Sequence, residues 1–211
     1  MSTPYQDAQR IGQDAVRAVI LDRAISLLVA EGSAALTVRR IAAEIGSSTK
    51  VLYTMFGGKE GLLDALYREG FARLRRAQEQ VPRGDDPLAH LTELGRAYRE
   101  RAIAEPAYYR VMFEQPAPGF RPSDEALAVA DGAFGASVAA VDACMAAGVF
   151  RPGDAREVSH LFWAATHGAV SLELAGHFAP AEAGARYEAL MAALGRAFGT
   201  GTPSPDERSA P

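Results

Sequence analysis

Cysteine is almost absent from this sequence. One residue, Cys144, stands among 211, so no intrachain disulfide forms and no cysteine-based zinc cage can be built. No apolar run reads as approaching the roughly 18–20 residues that span a bilayer. The N-terminal stretch MSTPYQDAQRIGQDAVR lacks the apolar core of a secretory signal. No segment alternates apolar and polar residues with period two, so no strand is expected, and no internal repeat is found. These absences argue against disulfide-stapled, membrane-spanning and β-rich proteins, and the expected location is the cytoplasm. What remains is 48% hydrophobic and 23% charged, the composition of an ordinary globular chain with one or two domains.

Helical periodicity fills most of the sequence. Val16, Val19, Ile20, Ala24, Leu27 and Leu28 follow helical spacing from Asp14 to Glu31, and Gly32 stops that helix. Residues 1–10 are polar and are expected to be mobile. Thr37 is a good N-cap for a short helix over 38–45, and Gly46 ends it. Ser47 and Ser48 make a turn into a second short helix over 49–55, with Ser48 expected to cap it and Gly57 and Gly58 to close it. A fourth helix runs from Lys59 to about residue 80. Beyond it the pattern predicts helices at about 87–104, 106–114, 123–147, 154–177 and 181–198. The fold class is therefore all-α, with about nine helices.

The stretch SSTKVLYTMF, Ser47 to Phe56, is the most informative. At about 100° per residue, Val51, Leu52, Met55 and Phe56 fall on one side and Thr49, Lys50, Tyr53 and Thr54 on the other. The polar side carries two hydroxyls, a phenol and an ammonium, and no carboxylate. Two short helices around a glycine turn have the dimensions of a helix-turn-helix. Small Ala42 and Ala43 let them approach, and Ile41, Ile45, Leu52 and Phe56 would pack on Leu27 and Leu28. The polar face would then enter a major groove, although such a pair also serves plain packing. Thr37, Tyr53 and Lys59 have the chemistry of phosphate contacts. Ser48, Thr49, Lys50 and Thr54 are left for base edges. Arg39 and Arg40 reach toward the backbone, unless one pairs with Glu44.

Charge distribution supports this reading. The net charge is −4, but residues 1–80 hold 11 basic and 9 acidic residues, and residues 81–211 hold 11 and 17. From Thr37 to Lys59 four basic residues face Glu44 alone. A small basic patch on an acidic protein suits local phosphate binding.

Thr37 to Leu63, TVRRIAAEIGSSTKVLYTMFGGKEGLL, closely resembles the DNA-binding region of TetR-like transcriptional repressors. The threonine, alanine, glycine, tyrosine, phenylalanine, lysine and two leucine positions of that pattern are all in step. With the preceding helix the resemblance covers about residues 15–77. It implies three N-terminal helices for DNA, a larger C-terminal domain for ligand and dimerisation, no catalysis and no cofactor. Its partners would be a double-stranded operator, a small-molecule effector and a second copy of the chain, with no membrane. The expected division is 11–58 for DNA binding, 59–80 as a connecting helix, 81–198 for ligand and dimerisation, and 199–211 as a disordered tail. The boundary loop is VPRGDDP, Val81 to Pro87. Four positions depart from the pattern. Ser47 replaces valine, Lys50 replaces glycine or proline, Met55 stands where His or Tyr is common, and Gly58 replaces a capping Ser or Asn. WAATHG, Trp163 to Gly168, is similar to a subgroup with a Trp-His-Gly signature.

The C-terminal half concentrates large side chains. Tyr109, Phe113, Phe134, His160, Trp163 and His167 are the candidate lining of a ligand pocket for an apolar or aromatic molecule, with the histidines as polar groups. Core packing explains the aromatic residues equally. His160 and His167, seven residues apart, are too far apart along one helix for joint metal ligation, so no metal is expected. Leu190, Met191, Leu194 and Phe198 form an apolar stripe on the last helix. The helix before it, VSHLFWAATHGAVSLELAGHF, is rich in Ala and Gly, and packing these last two helices onto their copies makes a twofold four-helix interface; burial within the chain is the alternative. A regulator that activates, or that ignores ligands, would share all these features. An all-α enzyme would need His160 or His167 as base and Cys144 as nucleophile, and no carboxylate motif supports either histidine.

Overall fold

Thr3 begins the chain's first helix. In the computed structural model, which describes residues 3–114 and 116–201, the Thr3 hydroxyl accepts from the Gln6 amide while the Gln6 side chain accepts from the Thr3 amide. Pro4 supplies the first helical position. This capping box starts α1 at Pro4 and carries it to Glu31. The helix thus begins ten residues before the start expected from periodicity, and residues 4–10 of the stretch expected to be mobile are helical. The reason is exposure. Tyr5 and Ile11 face solvent, so this segment has no apolar stripe to read, and only the cap marks its start.

The remaining helices follow the predicted order: α2 Val38–Glu44, α3 Thr49–Phe56, α4 Lys59–Glu79, α5 Pro87–Ala104, α6 Pro106–Phe113, α7 Asp124–Ala146, α8 Ala155–Leu174 and α9 Pro180–Phe198. The fold is all-α, and the one β-type contact among the described residues is an isolated bridge between Phe150 and Gly199. Thr200 donates from its amide to the Val149 carbonyl, so Gly199 and Thr200 are fixed against the loop before α8. The rest of the expected tail, from residue 202, lies outside the described residues. One helix departs from the reading of apolar runs. By length and composition α7 could cross a membrane, although its apolar character comes largely from alanine and it carries Asp131 and Asp142.

The chain forms two compact units. The first holds residues up to Arg73 together with Glu105–Ala130, and the second holds Leu74–Ala104 together with residues from Asp131 onward. The Val81–Pro87 loop falls within the second. In the first unit Ile20, Leu21, Ala24 and Leu27 of α1 are buried with Ile41 of α2, Leu52 and Phe56 of α3, and Leu62, Leu63 and Leu66 of α4. Arg73 ties three helices of this unit, with Glu69 of α4 at 2.9 Å, Asp22 of α1 at 3.0 Å and Glu105, next to α6, at 2.7 Å.

In the second unit, α5 is the strut on which α8 and α9 lean. Gly95 makes the close approach possible. A Cβ there would lie 2.8 Å from the Met191 methyl, and the Tyr187 hydroxyl donates to the Gly95 carbonyl at 2.6 Å. Arg96 grips Glu188 of α9 with two bonds of 2.7 Å. Arg99 grips Glu173 of α8 at 2.8 and 2.6 Å. Such two-pronged guanidinium–carboxylate pairs fix direction as well as distance.

Candidate nucleic-acid interface

Thr37 caps α2 as its chemistry predicts, its hydroxyl accepting from the Arg40 amide at 3.2 Å. The chain then turns at Gly46, whose φ of +66° is the left-handed conformation that favours glycine. Ser48 precedes α3 without capping it through its side chain, which leaves its hydroxyl for another partner. Along α3, Leu52 and Phe56 are buried and Val51 and Met55 half-buried, while Thr49, Lys50, Tyr53 and Thr54 are exposed. The helical wheel drawn from the sequence is therefore the one the fold uses. Tyr53, a large side chain, is 57% exposed.

The electrostatics of this face are more selective than the sequence count implies. Arg40 bonds Glu44 and Glu31, and Arg23 of α1 also bonds Glu44. The hydrogen bond from Arg40, joined by that from Arg23, holds the Glu44 carboxyl below the usual carboxylate range. So Arg40 is spent within α2 and on joining α2 to the end of α1, whereas Arg39 and Lys50 are exposed. Lys59 is half-buried and its ammonium donates to the Ser33 carbonyl, which pins the start of α4 to the loop after α1. Two of its three N–H groups remain for a phosphate.

Two positioning residues escaped sequence reasoning. Gly61 lies so close to α3 that a Cβ on it would sit 1.8 Å from the Phe56 carbonyl oxygen. Its only signal was a third glycine in the GGKEG run. Arg17 places its guanidinium 4.9 Å from the centre of the Phe56 ring, a contact between α1 and α3 that no sequence spacing announces.

The six candidate pocket residues do not all fall in one unit. Tyr109 and Phe113 belong to the first, where Phe113 packs edge-on to Phe71 at 5.6 Å and to Tyr109 at 5.0 Å. Phe134, His160, Trp163 and His167 belong to the second. There His160 stacks on Phe134 at 4.7 Å, and Trp163 sits 6.2 Å from Phe134 and 5.7 Å from His167. His167 shares a 3.0 Å hydrogen bond with the Tyr98 hydroxyl, and burial lowers its pKa. Cys144 is fully buried, and burial pushes its thiol up to about 11, the state of an inert core residue and not of a nucleophile. Among the described residues no cluster of His, Cys, Asp or Glu could hold a metal ion.

The apolar stripe on α9 is divided. Met191 is buried against Gly95, and Phe198 packs at a tilt on Phe150 and Phe162, with ring centres 6.2 and 5.6 Å away. Both serve the unit's own core, because α9 needs an anchor on α5 and α8. Leu190 and Leu194 are half-buried. The more exposed apolar face belongs to α8, with Leu161 and Leu172 at its two ends and Ala165 and Gly168 between.

Two family descriptions match this chain. "Bacterial regulatory proteins, tetR family" matches residues 20–66, and "Tetracyclin repressor-like, C-terminal domain" matches residues 91–194. An HTH-type transcriptional regulator of Mycobacterium tuberculosis is 26% identical over 201 residues, covering 81% of this chain and 85% of the relative. A solved Rhodococcus protein of unknown function is 28% identical with a TM-score of 0.77, covering 87% of this chain and 95% of the other. The TetR family transcriptional regulator PfmR of Thermus thermophilus shares the fold, with a TM-score of 0.66 at 22% identity over 84% of this chain and 97% of that one. The two families, the mycobacterial relative and PfmR are all described as transcriptional regulators, not as enzymes.

Proposed function

Because the chain belongs to the TetR family of transcriptional regulators, we propose that it is a repressor that binds a palindromic operator as a dimer and is released by a small apolar or aromatic molecule. The observation that carries the reading is the outer face of α3. Thr49, Lys50, Tyr53 and Thr54 are all exposed, and no carboxylate lies among them to repel a phosphate backbone. Thr37, Tyr53 and Lys59 take the phosphates, with Arg39 beside them. Ser48, Thr49, Lys50 and Thr54 face base edges, where Lys50 donates to guanine O6 or N7.

A dimer presents two copies of α3, which suits half-sites one helical turn apart, about 34–36 Å. The copies meet through α8 and α9, whose small residues let helices approach closely. The effector acts from the second unit, in the neighbourhood of Phe134, His160, Trp163 and His167. It favours a state in which the two α3 helices no longer match the groove spacing, which is a coupling free energy between two sites.

Selection of bound fragments from random duplex DNA tests the core of this reading. Recovery of an inverted repeat is the expected result. Recovery of a single unrepeated motif, or of no motif, would reject it. A reporter driven from the recovered site then separates repression from activation.

A further inference from the structure

A cavity of about 1070 Å³ opens within the second unit, and none of the six candidate pocket residues lines it. One wall is the small-residue face of α7, including Gly132, Ala136, Ala139, Ala140 and Ala143. Facing it are Gln78 at the end of α4, the loop through Val81 and Pro82, and His90 and Leu94 of α5. From Gly132 to Ala143 the α7 wall runs about 16 Å at 1.5 Å per residue, smooth because its side chains are methyl groups or nothing.

A stripe of alanines would mean little alone. The informative group is Gln78. It is only 7% exposed, it lines the cavity, and its Oε1 has no hydrogen-bond partner. An unsatisfied buried acceptor is costly and rare in folded proteins, and here it stands at the wall of an open space. The terminal torsion of a glutamine side chain is soft, so this oxygen turns toward an occupant without moving α4.

His90 adds a second acceptor. Its Nδ1 lies 3.1 Å from the Pro82 carbonyl, which can only accept, so Nδ1 carries a proton, and in the tautomer this contact selects Nε2 is the acceptor. The charged residues on the lining balance. Arg75 pairs with Glu79 at 3.0 Å, and Arg83 is matched by Asp85 on the same loop. The lining thus offers acceptors for a donor, a long apolar wall and no net charge.

We propose that this cavity binds a neutral, elongated, apolar molecule carrying a hydroxyl or another hydrogen-bond donor, whose donor meets Gln78. The binding claim stands whether or not occupancy releases DNA, so it is read on the protein alone.

The probe pair is 1-decanol and its methyl ether, similar in length and apolar surface but differing in the donor. Titration calorimetry of the full chain should give an affinity for decanol about tenfold above that for the ether. Gln78→Leu removes the acceptor and keeps a side chain of similar size. It should abolish that preference, with decanol binding falling toward the level of the ether. Ala139→Trp and Ala143→Trp, at exposed positions on the α7 wall, should abolish binding of both probes while thermal unfolding shows the fold intact. Equal affinity for the two probes on the unaltered protein would overturn the proposal. So would decanol binding that survives both tryptophan variants, or no decanol binding up to its solubility. Operator release is scored separately. Decanol-saturated protein that stays on DNA separates this cavity from the effector site near Phe134 and Trp163 and supports a second, independent site, and absence of decanol binding counts against this site alone.

Discussion

The chain contains two lysines, Lys50 and Lys59, and the fold gives them different work. Lys50 is exposed on α3, whereas Lys59 is half-buried with its ammonium on the Ser33 carbonyl. Lys50→Ala should therefore alter base preference at one position in each half-site. Tyr53→Phe removes only a hydroxyl proposed to meet phosphate and should weaken all sequences alike, by a few-fold. A binding series on operator variants at fixed salt checks both, and the roles are misassigned if Tyr53→Phe changes preference while Lys50→Ala does not. His167 supports a pH prediction at the same scale. Burial lowers its pKa in the folded protein, so on acidification the unfolded chain takes the proton first, near its ordinary value of about 6.5. Stability present above that pH is lost as pH falls below it. His167→Gln should flatten the loss that sets in below about pH 6.5, measured by urea unfolding at each pH. Loss of the Tyr98 bond lowers the whole curve without changing its slope, so the two effects separate.

Among the elements, α3 was legible in full and α1 only in part, for reasons that are physical. The α3 wheel works because one side of eight residues meets a core and the other meets solvent. The first ten residues of α1 meet no core, and hydrophobic periodicity is silent about a helix without a buried face. Its start was written in Thr3, Pro4 and Gln6, a local signal independent of burial. Gly61 was illegible for the opposite reason. Its role is a tertiary distance, the space between α4 and the Phe56 carbonyl, which leaves no pattern in one sequence. The division of Tyr109 and Phe113 from Phe134, His160, Trp163 and His167 was hidden likewise, since aromatic content marks burial without saying which core. Gly61→Ala should force the end of α3 away from α4 and cost about 1–3 kcal/mol, the usual range for overpacking. Operator affinity should fall as well, because the carbonyl displaced belongs to α3. Unfolding in urea and operator titration of one preparation check both, and unchanged stability would show that the backbone yields there at no cost.

For the molecule as a whole, the decisive question is what covers α8. Leu161 is 55% exposed and Leu172 43%, with Ala165 and Gly168 between them on one side of the helix. A face with leucines at its ends and small residues at its centre suits close helix approach, and leaving it in water forgoes the burial of two large side chains. Leu190 and Leu194 were the residues singled out by spacing on α9, but both are half-buried in the chain itself, so charging them risks the fold. Leu161→Glu combined with Leu172→Glu tests association more cleanly, because both side chains already face solvent. The double variant should sediment as a monomer at micromolar concentration, with the far-ultraviolet signal of an intact helical protein. Its affinity for a full palindrome should drop to that for one half-site, since each chain then contributes a single α3. The unaltered protein should sediment as a dimer. If it is a stable monomer at that concentration, or if the charged variant still dimerises, the α8 face is not the contact, and the pairing of two α3 helices on one operator must be sought through another surface.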